Sequence, residues 1–314
     1  MTAAMKTTTT SRGNLRLLSP AGAVQEPERL ERAVSHLRAL GFSVAVDARA
    51  LRRFERFAGT DTQRLQALHA AARSRAGVVM ATRGGYGLSR ILHRIDYPVL
   101  HDAIVRRGQA WVGHSDFTAL QLALLARTGA PTLAGPMACA DFGAERLDEI
   151  TVESFVDAVH GRQEAVGFAC VDAPRGLDRA GLLWGGNLTM VASLVGTPFL
   201  PQVDGVLFLE DVGEHPYRIE RLFSQLVHAG IAQRQKAVLI GGVTDFRLHP
   251  HDAGYDLAAA VTWLRDALRP AGVPVVTGLP FGHQRTKLTL PHGAPCRVVR
   301  DGAEVFLLFE HLHA

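Results

Sequence analysis

Short apolar runs alternate along this chain with segments whose apolar residues recur every three or four positions. Strands that alternate with amphipathic helices bury their faces best as a parallel sheet with helices on both sides. Leu15 to Leu18 reads as the first strand, followed by the turn Ser19-Pro20-Ala21-Gly22. A helix comes next, with Leu30, Ala33, Val34, Leu37 and Leu40 on one face, and Gly41 stands where its C-terminal cap is expected. Phe42 to Val46 and Val78 to Ala81 read as further strands, with a helix around Leu65 to Ala72 between them and the loop Arg83-Gly84-Gly85-Tyr86-Gly87 after them.

The run Ala110-Trp111-Val112 turns through Gly113-His114-Ser115-Asp116 into a helix from Phe117 to Arg127, which Gly129 stops. From about residue 141 to 178 the pattern becomes polar and irregular, and a boundary is expected there. The expected organisation is an N-terminal α/β domain with a doubly wound parallel sheet over 14–150, a linker region over 151–178 with one helix near Val152 to Val159, and a smaller C-terminal α/β domain over 179–314. In the last of these, Gly181 to Trp184 and Val206 to Leu209 read as strands, the second running into Glu210-Asp211. Pro216 opens a helix whose inner face is Ile219, Leu222, Phe223, Leu226 and Val227. Strands at Ala237 to Ile240 and Val273 to Val276, a helix at Leu257 to Leu268 and two or three terminal strands complete it, with Pro274 favouring a sheet edge.

With 314 residues, 47% apolar and 20% charged, the chain has a globular composition. It has no run of about 18 apolar residues such as a membrane helix needs, and the opening MTAAMKTTTTSRGN lacks the apolar run of a secretory signal. The expected compartment is therefore the cytoplasm, with the Thr-rich opening as a disordered lead-in. Cys139, Cys170 and Cys296 have no CxxC spacing and read as buried free thiols. The net charge of +4 comes from Arg spread along the chain, which suggests neither nucleic-acid nor membrane binding and mildly favours an anionic small substrate.

Ser115 at a strand-to-helix elbow would point out of the sheet edge, with free NH groups of the helix's first turn available to a developing oxyanion. The bland alternative is that Ser115 or Asp116 caps that helix. Phe117 stands where GxSxG would have its second glycine, so an α/β-hydrolase elbow is not supported. The Arg83–Gly87 loop is a plain turn, a weak phosphate loop, or the source of a second oxyanion NH at Gly84 or Gly85 if it meets Ser115. Glu210 ends an apolar strand where a carboxylate needs a partner, with Glu214 as the competing acid. Of fourteen histidines, His283 is set apart by its place in Phe281-Gly282-His283, between two strands. His249, His251, Asp252 and Asp256 fit no metal template.

Four segments together resemble the LD-carboxypeptidase family of serine peptidases: Arg83-Gly84-Gly85-Tyr86-Gly87, the stretch Gly113-His114-Ser115-Asp116 continuing to Leu120, the stretch from Leu207 through Glu210-Asp211 to Arg218, and Gly282-His283 leading to Leu290-Pro291. The resemblance implies a larger N-terminal α/β domain carrying the serine and a smaller one carrying its partners. It implies Ser115, Glu210 and His283 as a catalytic triad and the NH groups of Gly85 and Asp116 as the oxyanion hole. Gly84 and Arg83 then line the substrate site, with Arg83 a candidate for pairing with a substrate carboxylate. No metal or organic cofactor is required. The implied reaction releases terminal D-alanine from the murein tetrapeptide in cytoplasmic cell-wall recycling, by a protein that forms a homodimer and takes a small peptide substrate. Two alternatives stand beside it: a self-immunity peptidase of the microcin C type that cleaves an aminoacyl-nucleotide amide, and a non-catalytic α/β protein that only binds its ligand.

Overall fold

A computed structural model of the chain describes residues 13–170 and 172–309. Most of the Thr-rich opening, residues 1–12, lies outside them. Along the first half run β1 (Asn14–Leu18), α1 (Pro27–Ala39), β2 (Ser43–Val46), α2 (Asp61–Ala72), β3 (Val78–Ala81), α3 (Tyr97–His101), β4 (Ala110–Gly113), α4 (Phe117–Thr128) and β5 (Thr132–Ala134). The elements follow local chemistry: Thr60 and Gln63 form a capping box at the start of α2, and Gly129 ends α4 in the left-handed region at φ 71°. The five strands are parallel and lie in the order β2-β1-β3-β4-β5. In such a sheet the loops after β1 and β3 part to opposite sides, opening a crevice at the carboxyl ends of the strands, and this is where ligands bind.

The second half holds α5 (Glu149–Val159), β6 (Ala165–Ala169), β7 (Asp178–Asn187), α6 (Leu188–Ser193), β8 (Val206–Val212), α7 (Pro216–His228), β9 (Ala237–Thr244), α8 (Leu257–Leu268), β10 (Val275–Thr277), β11 (Leu290–His292), β12 (Ala294–Asp301) and β13 (Glu304–Phe309). Seven of these strands form a second sheet in the order β10-β9-β8-β7-β12-β13-β6. Its first four strands are parallel and the last three join antiparallel. Pro274 precedes the edge strand β10, which starts two residues later than its apolar run suggests.

Residues 151–178, expected as a linker, are built into both layers. The buried face of α5, including Thr151, Phe155 and Val156, packs against the first sheet, and β6 forms the outer edge of the second. Only Val166 and Phe168 of β6 point inward, so its apolar signal is short. The chain also returns to the first sheet late, where β11 pairs antiparallel with β5. Every residue from Phe117 to Leu125 is buried, because α4 lies between the first sheet and the second half of the chain. One apolar cluster joins Leu120 and Leu124 of α4 to Trp184, Leu188 and Phe223, so the two halves share a core. No helix among the described residues is long and apolar enough to cross a membrane.

Candidate active site

Ser115 sits between β4 and α4 with φ at 62°, a left-handed conformation that costs a residue with a Cβ about 1–3 kcal/mol. The bend is held where Phe117 N donates to His114 O and Thr118 N to Ser115 O. Neither Ser115 nor Asp116 caps the helix through its side chain. The Asp116 carboxylate instead turns to the glycine-rich loop and accepts from Leu88 N at 3.0 Å, with a further bond from the Gly87 amide. Burial pushes its pKa up to about 6 against the pull of those amides. The elbow and the Arg83–Gly87 loop are thereby fixed to each other. Gly84 is required there, since a Cβ on it would lie 2.6 Å from Ser115 Oγ.

The loop is tied on its other side to the turn after β1. Gly22 N donates to Gly84 O at 3.0 Å, and Arg83 Nη1 to Ala23 O at 2.8 Å. Arg83 forms no ion pair among the described residues. The amide NH groups of Gly85 and Asp116 have no acceptor among the described residues.

Glu210 lies inside β8, not beyond its end, and is buried to 1% exposure. Its Oε2 accepts from His283 Nδ1 at 2.7 Å, which leaves Nε2 of a neutral ring as an acceptor. Gly282 makes this possible: at φ 123°, a Cβ there would meet Glu210 Oε2 at 2.9 Å. A register shift between β8 and β9 next to Glu210 lets Gly242 N bond Phe281 O at 2.8 Å, which anchors the histidine loop. Thr244 Oγ1 donates to His283 O at 3.1 Å. Asp211, its pKa raised by burial, accepts from Asn187 Nδ2 and from Thr189 N and Oγ1, so the second acid of the pair is spent on structure. Glu214 pairs with Arg218 at 3.5 Å on the surface and does not compete for His283.

Ser115 and His283 line one cavity of about 240 Å³ together with Arg83, Gly84, Gly85 and Cys139. The sequence reading did not single out His114, which stands edge-on to His283 with ring centroids 5.0 Å apart. Its Nδ1 bonds Gly135 O at 2.9 Å, and burial first, then Lys287 and His283, hold its pKa well below 6.5, so it supports the ring as a neutral group. Lys287 and Asp141, also not foreseen, form a buried ion pair beside the site. Asp252 pairs with His215 at 3.0 Å and Asp256 caps α8. Among the described residues no cluster of three or more His, Cys, Asp or Glu side chains could hold a metal.

Residues 15–135 match the model of the LD-carboxypeptidase N-terminal domain, and residues 180–298 that of the C-terminal domain. A Streptomyces coelicolor protein named as a carboxypeptidase is 34% identical over 91% of this chain and 90% of its own. The chain belongs to the LD-carboxypeptidase family. Within that family it is 28% identical to the murein tetrapeptide carboxypeptidase of Pseudomonas aeruginosa, over 90% of this chain and 91% of that one. The crystal structure of muramoyltetrapeptide carboxypeptidase from Oxalobacter formigenes superposes with a TM-score of 0.86 at 38% identity, covering 95% of this chain and 99% of the other. The microcin C7 self-immunity protein shares the fold, with a TM-score of 0.86 at 23% identity over 97% of this chain and 98% of its own. The mixed α/β architecture with a parallel N-terminal sheet is thus the family's architecture.

Proposed function

We propose that this chain is a serine-type LD-carboxypeptidase that releases the terminal D-alanine of the murein tetrapeptide during cell-wall recycling, working as a homodimer in the cytoplasm. The observation that carries the reading is the 2.7 Å bond between His283 and buried Glu210, with Ser115 on the wall of the same cavity. His283 Nε2 takes the proton of Ser115 as its Oγ attacks the L,D amide, while Glu210 orients the imidazole and stabilises its cation. The NH groups of Gly85 and Asp116 hold the oxyanion, each worth about 3 to 4 kcal/mol in comparable sites. His283 then protonates the departing amine, and water releases the acyl-enzyme by the same steps.

The test is free D-alanine released from L-alanyl-γ-D-glutamyl-diaminopimelyl-D-alanine, with Ser115→Ala as control. Release that persists in Ser115→Ala overturns the serine mechanism. A second reading draws on 26% identity to the microcin C7 self-immunity protein of Escherichia coli over 74% of each chain. It expects cleavage of an aminoacyl sulfamoyl adenosine in place of the tetrapeptide, so offering both substrates decides between them. A protein that cleaves neither, and binds the tetrapeptide equally well as Ser115→Ala, is a binding protein.

A further inference from the structure

The following rests on the reading of Ser115 as nucleophile. His283 stands between two cavities. On one side is the cavity of about 240 Å³ that holds Ser115, Gly84 and Gly85; on the other is a larger one of about 350 Å³, walled by Arg146, Arg285, Asp148 and the Lys287–Asp141 pair. In acyl transfer the attacked carbonyl lies over the serine and its oxyanion donors, while the leaving nitrogen comes within hydrogen-bond reach of the imidazole that protonates it. The residue bearing that nitrogen therefore sits on the His283 side. Its carboxylate, one backbone carbon further on, falls towards the larger cavity.

The wall of that cavity holds two cations that form no ion pair among the described residues, although Arg285 lies near enough to Asp148 to help hold its pKa down. Arg146 and Arg285 are exposed, and neither donates to a carboxylate or carbonyl among the described residues. Lys287 is already neutralised by Asp141, whose other oxygen accepts from Met137 N at 2.7 Å. Asp148 is likewise occupied, accepting from Thr151 N and Oγ1 and from Thr286 Oγ1. Arg83 lies on the Ser115 side and is turned to Ala23 O, which leaves it for the acyl portion.

We propose that Arg285, assisted by Arg146, binds the free carboxylate of the leaving residue and so restricts the enzyme to the last bond of its substrate. Arg285 follows His283 by two residues, so the carboxylate reader and the proton donor are set by one loop. A guanidinium matches a carboxylate in a two-point fashion, which a neutral amide cannot reproduce.

The experiment compares the murein tetrapeptide with the same peptide amidated at its C-terminus, for wild type, Arg285→Met, Arg146→Met, their combination and Arg83→Met. Wild type is expected to favour the free acid, and Arg285→Met to lose about 10- to 100-fold in kcat/KM on the acid, mostly through KM, with the amide unchanged. The double variant is expected to remove the remaining preference. A preference that survives both substitutions, or that collapses in Arg83→Met instead, overturns the assignment, as does a wild type that takes the amide equally well. A wild type that cleaves neither peptide overturns the functional reading itself, and this assignment with it.

Discussion

Lys287→Met tests how the loop carrying His283 is held. Lys287 and Asp141 expose only 3% and 8% of their side chains, and the pair joins the His283 loop to the segment after β5. Methionine keeps the stem of lysine and removes the charge, which leaves Asp141 buried with Met137 N as its remaining partner. Breaking such a pair from one side costs about 3–5 kcal/mol, whereas replacing both charges is often near neutral. For a chain of 314 residues, with an unfolding entropy of about 2 cal/mol/K per residue, that cost lowers the melting temperature by roughly 5 to 8 °C. The double variant Lys287→Met/Asp141→Asn keeps an acceptor for Met137 N and should recover most of the loss. Thermal melts of wild type, both single variants and the double variant close the cycle. A double variant no more stable than Lys287→Met, or a Lys287→Met loss below about 1 kcal/mol, would refute the buried-pair reasoning.

Three further outcomes are expected. Asp116 has a folded pKa raised from 3.8 to about 6, so its contribution is most favourable below pH 4 and is lost as pH rises through 6, by about 3 kcal/mol in all; Asp116→Asn should flatten that fall in denaturant titrations, and parallel pH curves for the two proteins would count against it. Gly84→Ala would bring a methyl group to 2.6 Å from Ser115 Oγ, and displacing the nucleophile by about 1 Å should lower kcat about 100-fold; unchanged single-turnover rates would contradict it. Glu210→Gln should lower kcat about 10,000-fold by losing the His283 tautomer while the fold is retained, whereas a loss under tenfold would remove Glu210 from the mechanism.

Much of the fold could be read along the chain, because β3 and β4 are short apolar runs and β1 and α4 are mostly apolar, each bounded by glycine or a turn. Where the reading failed, the signal was carried by few residues. In β6 only Val166 and Phe168 face inward around Gly167, and β5 is three residues long. The return of β11 to the first sheet has no local signature, since strand order is set by tertiary packing. In the site, Ser115, Glu210 and His283 could be assigned through the short motifs that carry the family resemblance, and Gly84 and Gly282 lie in the same motifs. Lys287 and Asp141 could not, being 146 residues apart and paired only by the fold.

Ser115 and His283 line the same cavity from different halves of the chain, so their spacing depends on how the halves are held. Ser115 is placed by the end of β4, and Glu210 and His283 by β8 and the loop after β10, so small rotations between the halves would separate them. Two contacts oppose such rotation. The shared core buries α4 on all sides, and Thr118 Oγ1 of that helix accepts from Asn187 N at 3.1 Å. The segment just past His283 is stitched to α5, with Lys287 N donating to Thr151 Oγ1 at 2.9 Å and Thr289 N to Ser154 Oγ at 2.8 Å. The helix the serine introduces is thus bonded to the second half of the chain, and the strap the histidine introduces to α5, whose buried face packs against the first sheet. Substitutions along Thr151, Ser154 and Lys287, which hold the histidine strap to α5, should lower kcat through the distance between Ser115 and His283.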